Sequence, residues 1–168
     1  MDISRTNCLA VDGSETSTNA FDWYVKNYHR PSDSLIILHI HQTPQLPLME
    51  ISSGVFTTTE EHRCRIIDSV KEAEAVVEKF KNLCLEKKIE CKEIILEKDF
   101  VSLGFMICKF AKKKKATVIL MGQRPLGAVP RTSLGSTNDY VIRHSIVPVI
   151  VIPPIHCPTL PKKDFFQT

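Results

Sequence analysis

Five short apolar runs alternate with segments of helical periodicity along nearly the whole chain, and that alternation leaves few folds open. Continuous apolar runs belong to strands buried on both faces, the condition of a parallel sheet with helices packed above and below it. The runs are Asn7 to Val11, Ser34 to His41, Ile89 to Glu97, Ala116 to Met121 and Ile146 to Ile152. Between them the pattern predicts helices over about Ser14 to Tyr28, Thr59 to Lys87, Val101 to Lys114 and Thr137 to His144. In the first, Ala20, Trp23, Tyr24 and Val25 are expected to face the sheet. In the second, Ile66, Val70, Ala73, Val77, Phe80 and Cys84 recur at spacings of four and three, the stripe of an amphipathic helix. Charged Glu90, Lys92 and Glu93 put the third strand at an edge of the sheet. Pro148 cannot donate to a central ladder, so the fifth strand lies at an edge or starts pairing only beyond it. The expected architecture is α/β: a single doubly wound domain over residues 1–154, a five-stranded parallel sheet with helices on both faces, and a C-terminal tail over 155–168.

A chain of 168 residues is long enough to bury a core without help from disulfides or metals. With 43% hydrophobic and 24% charged residues and a net charge of +3, it has neither the basic excess that argues for nucleic acid nor a disordered composition. The longest apolar stretch, Ile146 to Ile155, is broken by Pro148, Pro153 and Pro154 and is about half a membrane span. The six cysteines, Cys8, Cys64, Cys84, Cys91, Cys108 and Cys157, form no Cys-x-x-Cys pair, and no signal-peptide pattern opens the sequence. Reduced thiols packed in a cytoplasmic protein are the expectation. Lys112 to Lys115 read as a solvated helix end whose charge complements the dipole. Residues 42 to about 56, with Pro44, Pro47 and Gly54, form a connection longer than most between strand and helix.

The chemistry concentrates after the fourth strand, where Met121-Gly122-Gln123-Arg124-Pro125 leads through nine residues to Gly135-Ser136. A glycine-punctuated loop running into a helix start offers backbone N–H groups and the positive end of a dipole to a phosphate. Ser136, three residues before Asp139, reads as the first half of a capping box. In open doubly wound sheets the ligand crevice lies beyond the carboxyl ends of the strands, where the connections switch sides. If strands two and three lie on one side of strand one and strands four and five on the other, Asp12 and Gly122 face each other there. A carboxylate for ribose hydroxyls opposite a phosphate loop favours a nucleotide.

Three segments together, Val11-Asp12-Gly13-Ser14, Leu38-His39-Ile40 and the run from Gly135 to Ser145, resemble the universal stress proteins. That family's loop reads Gly, two residues, Gly, nine residues, Gly, then Ser or Thr. The resemblance covers about residues 5–154 and implies strand order 3-2-1-4-5, a homodimer through Val147 to Ile152 and, in one branch, bound ATP. AMP or ADP are the alternatives, and the sequence leaves a magnesium requirement open. Carried over by position, Val11, Asp12 and Ile40 would border adenine and ribose, Gly122 would sit near the ribose, and Gly135, Ser136 and Thr137 would hold phosphates. The family's second glycine is here Pro125, which has no N–H to offer. Losing one hydrogen bond to a charged group costs about 1.5–3 kcal/mol. Gly127 could let the loop reshape, and Arg124 or Arg131 could supply a charge-assisted contact instead.

Catalytic and metal chemistry is not legible. His39 and His41 share a strand face without a third ligand nearby, so packing or a backbone hydrogen bond is expected of them. His144 reads as a dipole partner at its helix end. Ser133 and Ser136 have no base beside them in sequence, and the loop lacks the Gly-Lys-Ser ending of a P-loop. Any ATP hydrolysis is therefore expected to be slow. Three functions stand: an ATP-binding dimer acting as a stress-response sensor or switch, a stress-related interaction protein with a decayed site, and a slow ATPase. None of them involves a membrane or nucleic acid.

Overall fold

A computed structural model describes residues 4–44, 60–98, 101–124 and 134–154. Along the chain these form β1 (Thr6–Val11), α1 (Glu15–Asn27), β2 (Ser34–His41), α2 (Glu60–Glu86), β3 (Cys91–Glu97), α3 (Leu103–Lys113), β4 (Val118–Gly122), α4 (Ser136–His144) and β5 (Val149–Ile152). The strands make one sheet in the order β3-β2-β1-β4-β5, with every pairing parallel. The charged third strand is an edge, as its sequence requires. β5 is the other edge, and its ladder starts after Pro148, whose carbonyl accepts from the Ile119 N–H at 2.9 Å. Most of residues 42–56, together with Cys157 and the tail over 155–168, fall outside the described residues.

Alternation along each strand separates two cores. Leu9 and Val11 of β1, Leu35 and Ile37 of β2 and Val118 and Leu120 of β4 pack with Phe21 and Tyr24 of α1 and with Phe80 and Cys84 of α2. On the opposite face Cys8, Ile36, Leu38, Ile119 and Met121 meet Ile107, Phe110 and Ala111 of α3 and Val141 of α4. Burial of this kind is worth roughly 1.5–3 kcal/mol per large side chain.

Three expectations need correction. In α1 Phe21, which the pattern did not single out, is fully buried with Ala20 and Tyr24, while Trp23 and Val25 are half-buried and pack against the same core. In α2 the stripe buries Ala73, Val77, Phe80 and Cys84, but Ile66 is half-buried and Val70 is 41% exposed. Length explains this: 27 helical residues span about 40 Å at 1.5 Å each, against about 23 Å for the 7 residues of β3 at 3.3 Å each. The early turns of α2 therefore extend past the sheet. Cys8 and Cys84 do pack in the core, where burial pushes the Cys8 thiol up to about 12, but Cys64 lies exposed on α2. The Lys112–Lys115 run is the exposed end of α3, as expected.

At the amino ends of β1 and β2 a buried polar knot ties the sheet to α1. The Arg5 guanidinium donates to the Asp33 carboxylate through Nε, at 2.7 Å, and through Nη2. Asn7 Nδ2 donates to Asp33 at 3.2 Å and to the Tyr24 hydroxyl at 3.1 Å, and the Arg30 N–H donates to Asp33 at 3.0 Å. Burial pushes the Asp33 carboxyl up, but the hydrogen bonds from Arg5, Arg30 and Asn7 outweigh it and hold the group below its ordinary value. An unfolded aspartate titrates near 3.9. Between that value and the lower folded one, the unfolded chain binds a proton that the folded chain lacks, so stability rises with pH there. The contribution of Asp33 is complete above about pH 5 and is lost as pH falls through the folded value. Asp33→Asn is expected to lower stability at neutral pH by about 1–3 kcal/mol and to flatten its decline in acid, read from urea unfolding between pH 7 and pH 3.

Candidate functional site

The carboxyl ends of β1 and β4, adjacent in the sheet, open into a cavity of about 280 Å³. Its floor is apolar: Val11, Leu38, Ile40 and Met121 come from three strands, and Leu103 and Ile107 from α3. Its rim is polar, made by Asp12, Arg124 and the start of α4 at Gly135, Ser136 and Thr137. Eight of the sequence-predicted positions, Val11, Asp12, Ile40, Gly122, Arg124, Gly135, Ser136 and Thr137, line this one space. Pro125 and Gly127, with Arg131 and Ser133, lie outside the described residues.

Two glycines fix the geometry. A Cβ on Gly122 would stand 2.5 Å from the carbonyl oxygen of Thr16, so only glycine lets the end of β4 lie against the first turn of α1. Gly135 has φ +83°, the left-handed region that side chains disfavour, and it is the residue that caps α4. This corrects the capping box: Ser136 is the first helical residue, and Asp139 turns aside to Arg143 at 2.9 and 3.0 Å. The physical reason is that Gly135 already provides the change of direction, and it carries no side-chain acceptor. Among the described residues no side chain caps α4, and Gly135, Ser136 and Thr137 at its start line the cavity rim.

Asp12 is heavily engaged. Its Oδ1 accepts from the Ser14 N–H at 3.1 Å and from the hydroxyls of Ser14 and Ser17 at 2.5 Å each. Its backbone N–H donates to Ser17 Oγ at 3.1 Å, and Ser14 is the N-cap of α1. Its Oδ2 takes the Arg124 guanidinium through Nε, at 2.7 Å, and through Nη2. Burial pushes the Asp12 carboxyl up, yet the donors from Ser14, Ser17 and Arg124 prevail and hold it well below the usual carboxylate range. It is a carboxylate at any physiological pH.

Two contributors to this site escaped the sequence reading. Ser17 is buried and braces Asp12; its signal was the Ser14-x-x-Ser17 spacing after an aspartate. Asn138 is buried and donates from Nδ2 to the Gly122 carbonyl at 3.2 Å, tying α4 to the end of β4. A polar residue one turn before Val141 on the inward helix face was its signal. The histidines behave as expected in part. His39 Nδ1 lies 2.9 Å from the Val11 carbonyl, and His144 Nδ1 lies 2.9 Å from the Tyr140 carbonyl, while His41 Nε2 is buried without a partner among the described residues. Among the described residues no group of three His, Cys, Asp or Glu side chains is placed to hold a metal, and no helix is long and apolar enough to cross a membrane.

The model of the universal stress protein family matches residues 5–153. The chain belongs to that family. Its relatives include the universal stress protein PHOS34 of Arabidopsis thaliana, 28% identical over 86% of this chain and 60% of the relative. They also include YxiE of Bacillus subtilis, 26% identical over 86% of this chain and 95% of the relative. The chain thus spans about 60% of the length of its plant relative. Among solved structures, the hypothetical protein MJ0577 superposes with a TM-score of 0.70 at 22% identity, over 91% of this chain and 98% of that one. A family member from Arabidopsis thaliana with AMP bound superposes with a TM-score of 0.60 at 18% identity, over 89% and 91% of the two chains. Another, in complex with cAMP, does so at 0.52 and 17% identity, over 89% and 96%. At these identities the superpositions show a shared fold, and some universal stress proteins of this fold hold adenine nucleotides.

The Gly122 contact yields a direct test. Gly122→Ala is expected to push α1 away from β4 and lower stability by about 1–3 kcal/mol, measured by urea unfolding at neutral pH. A variant as stable as the parent would mean that the two elements are not in contact there.

Proposed function

We propose that this universal stress protein binds an adenine nucleotide, ATP foremost, in the cavity between β1 and β4. The observation that carries the reading is the pairing of an apolar floor with a helix start that no side chain caps among the described residues, within one cavity. A purine is flat and apolar on its faces, and Val11 and Ile40 are placed to border it. The Asp12 carboxylate suits ribose hydroxyls, and the amides at Gly135, Ser136 and Thr137 suit phosphates. The adenine nucleotides held by other family members support the same assignment. A magnesium ion, where the nucleotide carries one, would enter with the phosphates.

In this reading the protein works as a stress-response sensor or switch rather than a fast enzyme. Occupancy can bias a partner-facing conformation only by the difference in nucleotide affinity between two states. It acts in the cytoplasm as a homodimer joined through Val147 to Ile152; among the described residues β5 is an apolar edge strand paired on one side only, and edge pairing across a two-fold axis would cover it. One observation favours a second reading, an interaction protein that binds no nucleotide: Asp12 already holds donors on both oxygens, and Arg124 stands at the cavity rim.

Calorimetric titration of ATP, with and without magnesium, separates the two readings. Saturable binding is expected in the wild type. Pro125→Gly, which restores a backbone N–H, is expected to tighten it roughly ten- to a hundredfold. Absence of heat and of any thermal shift with the wild type would favour the second reading.

A further inference from the structure

The ion pair across the cavity mouth carries a consequence for ligand choice. Arg124 leaves β4 just beyond Gly122 and reaches the carboxylate at the end of β1, a contact between residues 112 positions apart. Both of its donating nitrogens go to one oxygen, Oδ2, while Oδ1 is held independently by Ser14 and Ser17. Asp12 would therefore keep three hydrogen bonds if Arg124 left, and would not become a bare buried charge. The Arg124 side chain is 70% exposed and that of Asp12 is 32% exposed. A pair so open to water contributes less than about tenfold to an equilibrium. A guanidinium engaging a phosphate by charge-assisted hydrogen bonds contributes roughly ten- to a hundredfold. The stronger partner takes the arginine.

We infer that Arg124 is the residue by which this site prefers phosphorylated ligands to neutral nucleosides, and that Asp12 acts as an internal stand-in for the phosphate that holds Arg124 at the rim until a ligand displaces it. The inference rests on the nucleotide reading above and adds to it an exchange of one anion for another. Neutral adenosine brings nothing to which Arg124 could transfer. The uncapped start of α4 lies on the same rim, so a phosphate placed there meets both the arginine and the helix amides. Arg124 directly precedes Pro125 in sequence, and since proline has no amide to offer, a side-chain donor is the available substitute.

The test is the ratio of adenosine to ATP dissociation constants, measured by calorimetry on the full chain, in which every contact common to both ligands cancels. Arg124→Gln is expected to reduce the preference for ATP roughly ten- to a hundredfold, and Arg124→Lys to restore most of it. Asp12→Asn is expected to raise the preference, by up to about tenfold, even if both ligands bind more weakly for want of a ribose contact. Salt should weaken ATP binding less in Arg124→Gln than in the wild type. An unchanged ratio in Arg124→Gln, with ATP still bound by the wild type, would overturn the inference and leave the nucleotide reading standing, as would a lowered ratio in Asp12→Asn. A wild type that binds neither ligand would remove both. Thermal melting of each variant without ligand separates a loss of selectivity from a loss of fold.

Discussion

A parallel sheet covered by helices on both faces can meet solvent only at its two ends and its two edges. Here α1 and α2 cover one face and α3 and α4 the other, so apolar side chains fill both layers. Where connections from neighbouring strands leave in opposite directions, the layers part, and the gap between the ends of β1 and β4 is the one such place in this strand order. The site is thus a consequence of packing before it is a matter of particular residues. Its floor is the edge of the core, where strand ends and α3 meet the opening.

The two ends of the sheet use the same chemistry in different surroundings. At the amino end, Asp33 is wholly enclosed beside Arg5, and Asn7 and the Arg30 amide complete its hydrogen bonding, with Asn7 also donating to the Tyr24 hydroxyl. Breaking such a buried pair leaves charge without solvent, so the knot is structural. At the carboxyl end, Asp12 and Arg124 make a similar contact in reach of water, where release is inexpensive. An aspartate and an arginine therefore serve as a fixed tie at one end and as an exchangeable contact at the other, and burial alone makes the difference.

The rim of the cavity depends on what α4 lacks. A serine or aspartate at the cap would have taken one of the first-turn amides for itself. Gly135, in a conformation open to glycine, starts the helix without doing so, while Asn138 holds the start of that helix against Gly122. Among the described residues nothing caps that helix, and its start is held in place at the cavity rim.

The sequence by itself determined the strands, the helices, the edge position of β3 and the residues gathered at the mouth, because apolar runs and helical stripes must be buried; for β5 it left an edge or a late start open, since Pro148 cannot donate to a ladder. It also marked Gly122 and Gly135, though not for their full reasons. The close approach of Thr16 to Gly122 depends on a helix laid over a strand more than a hundred positions away. The tertiary structure alone decided that Gly135 and not Ser136 caps α4, that the upper stripe of α2 overhangs the sheet, and that Asp12 is shared among Ser14, Ser17 and Arg124. Those outcomes turn on distances between elements remote in sequence, and no local pattern of residues encodes such distances.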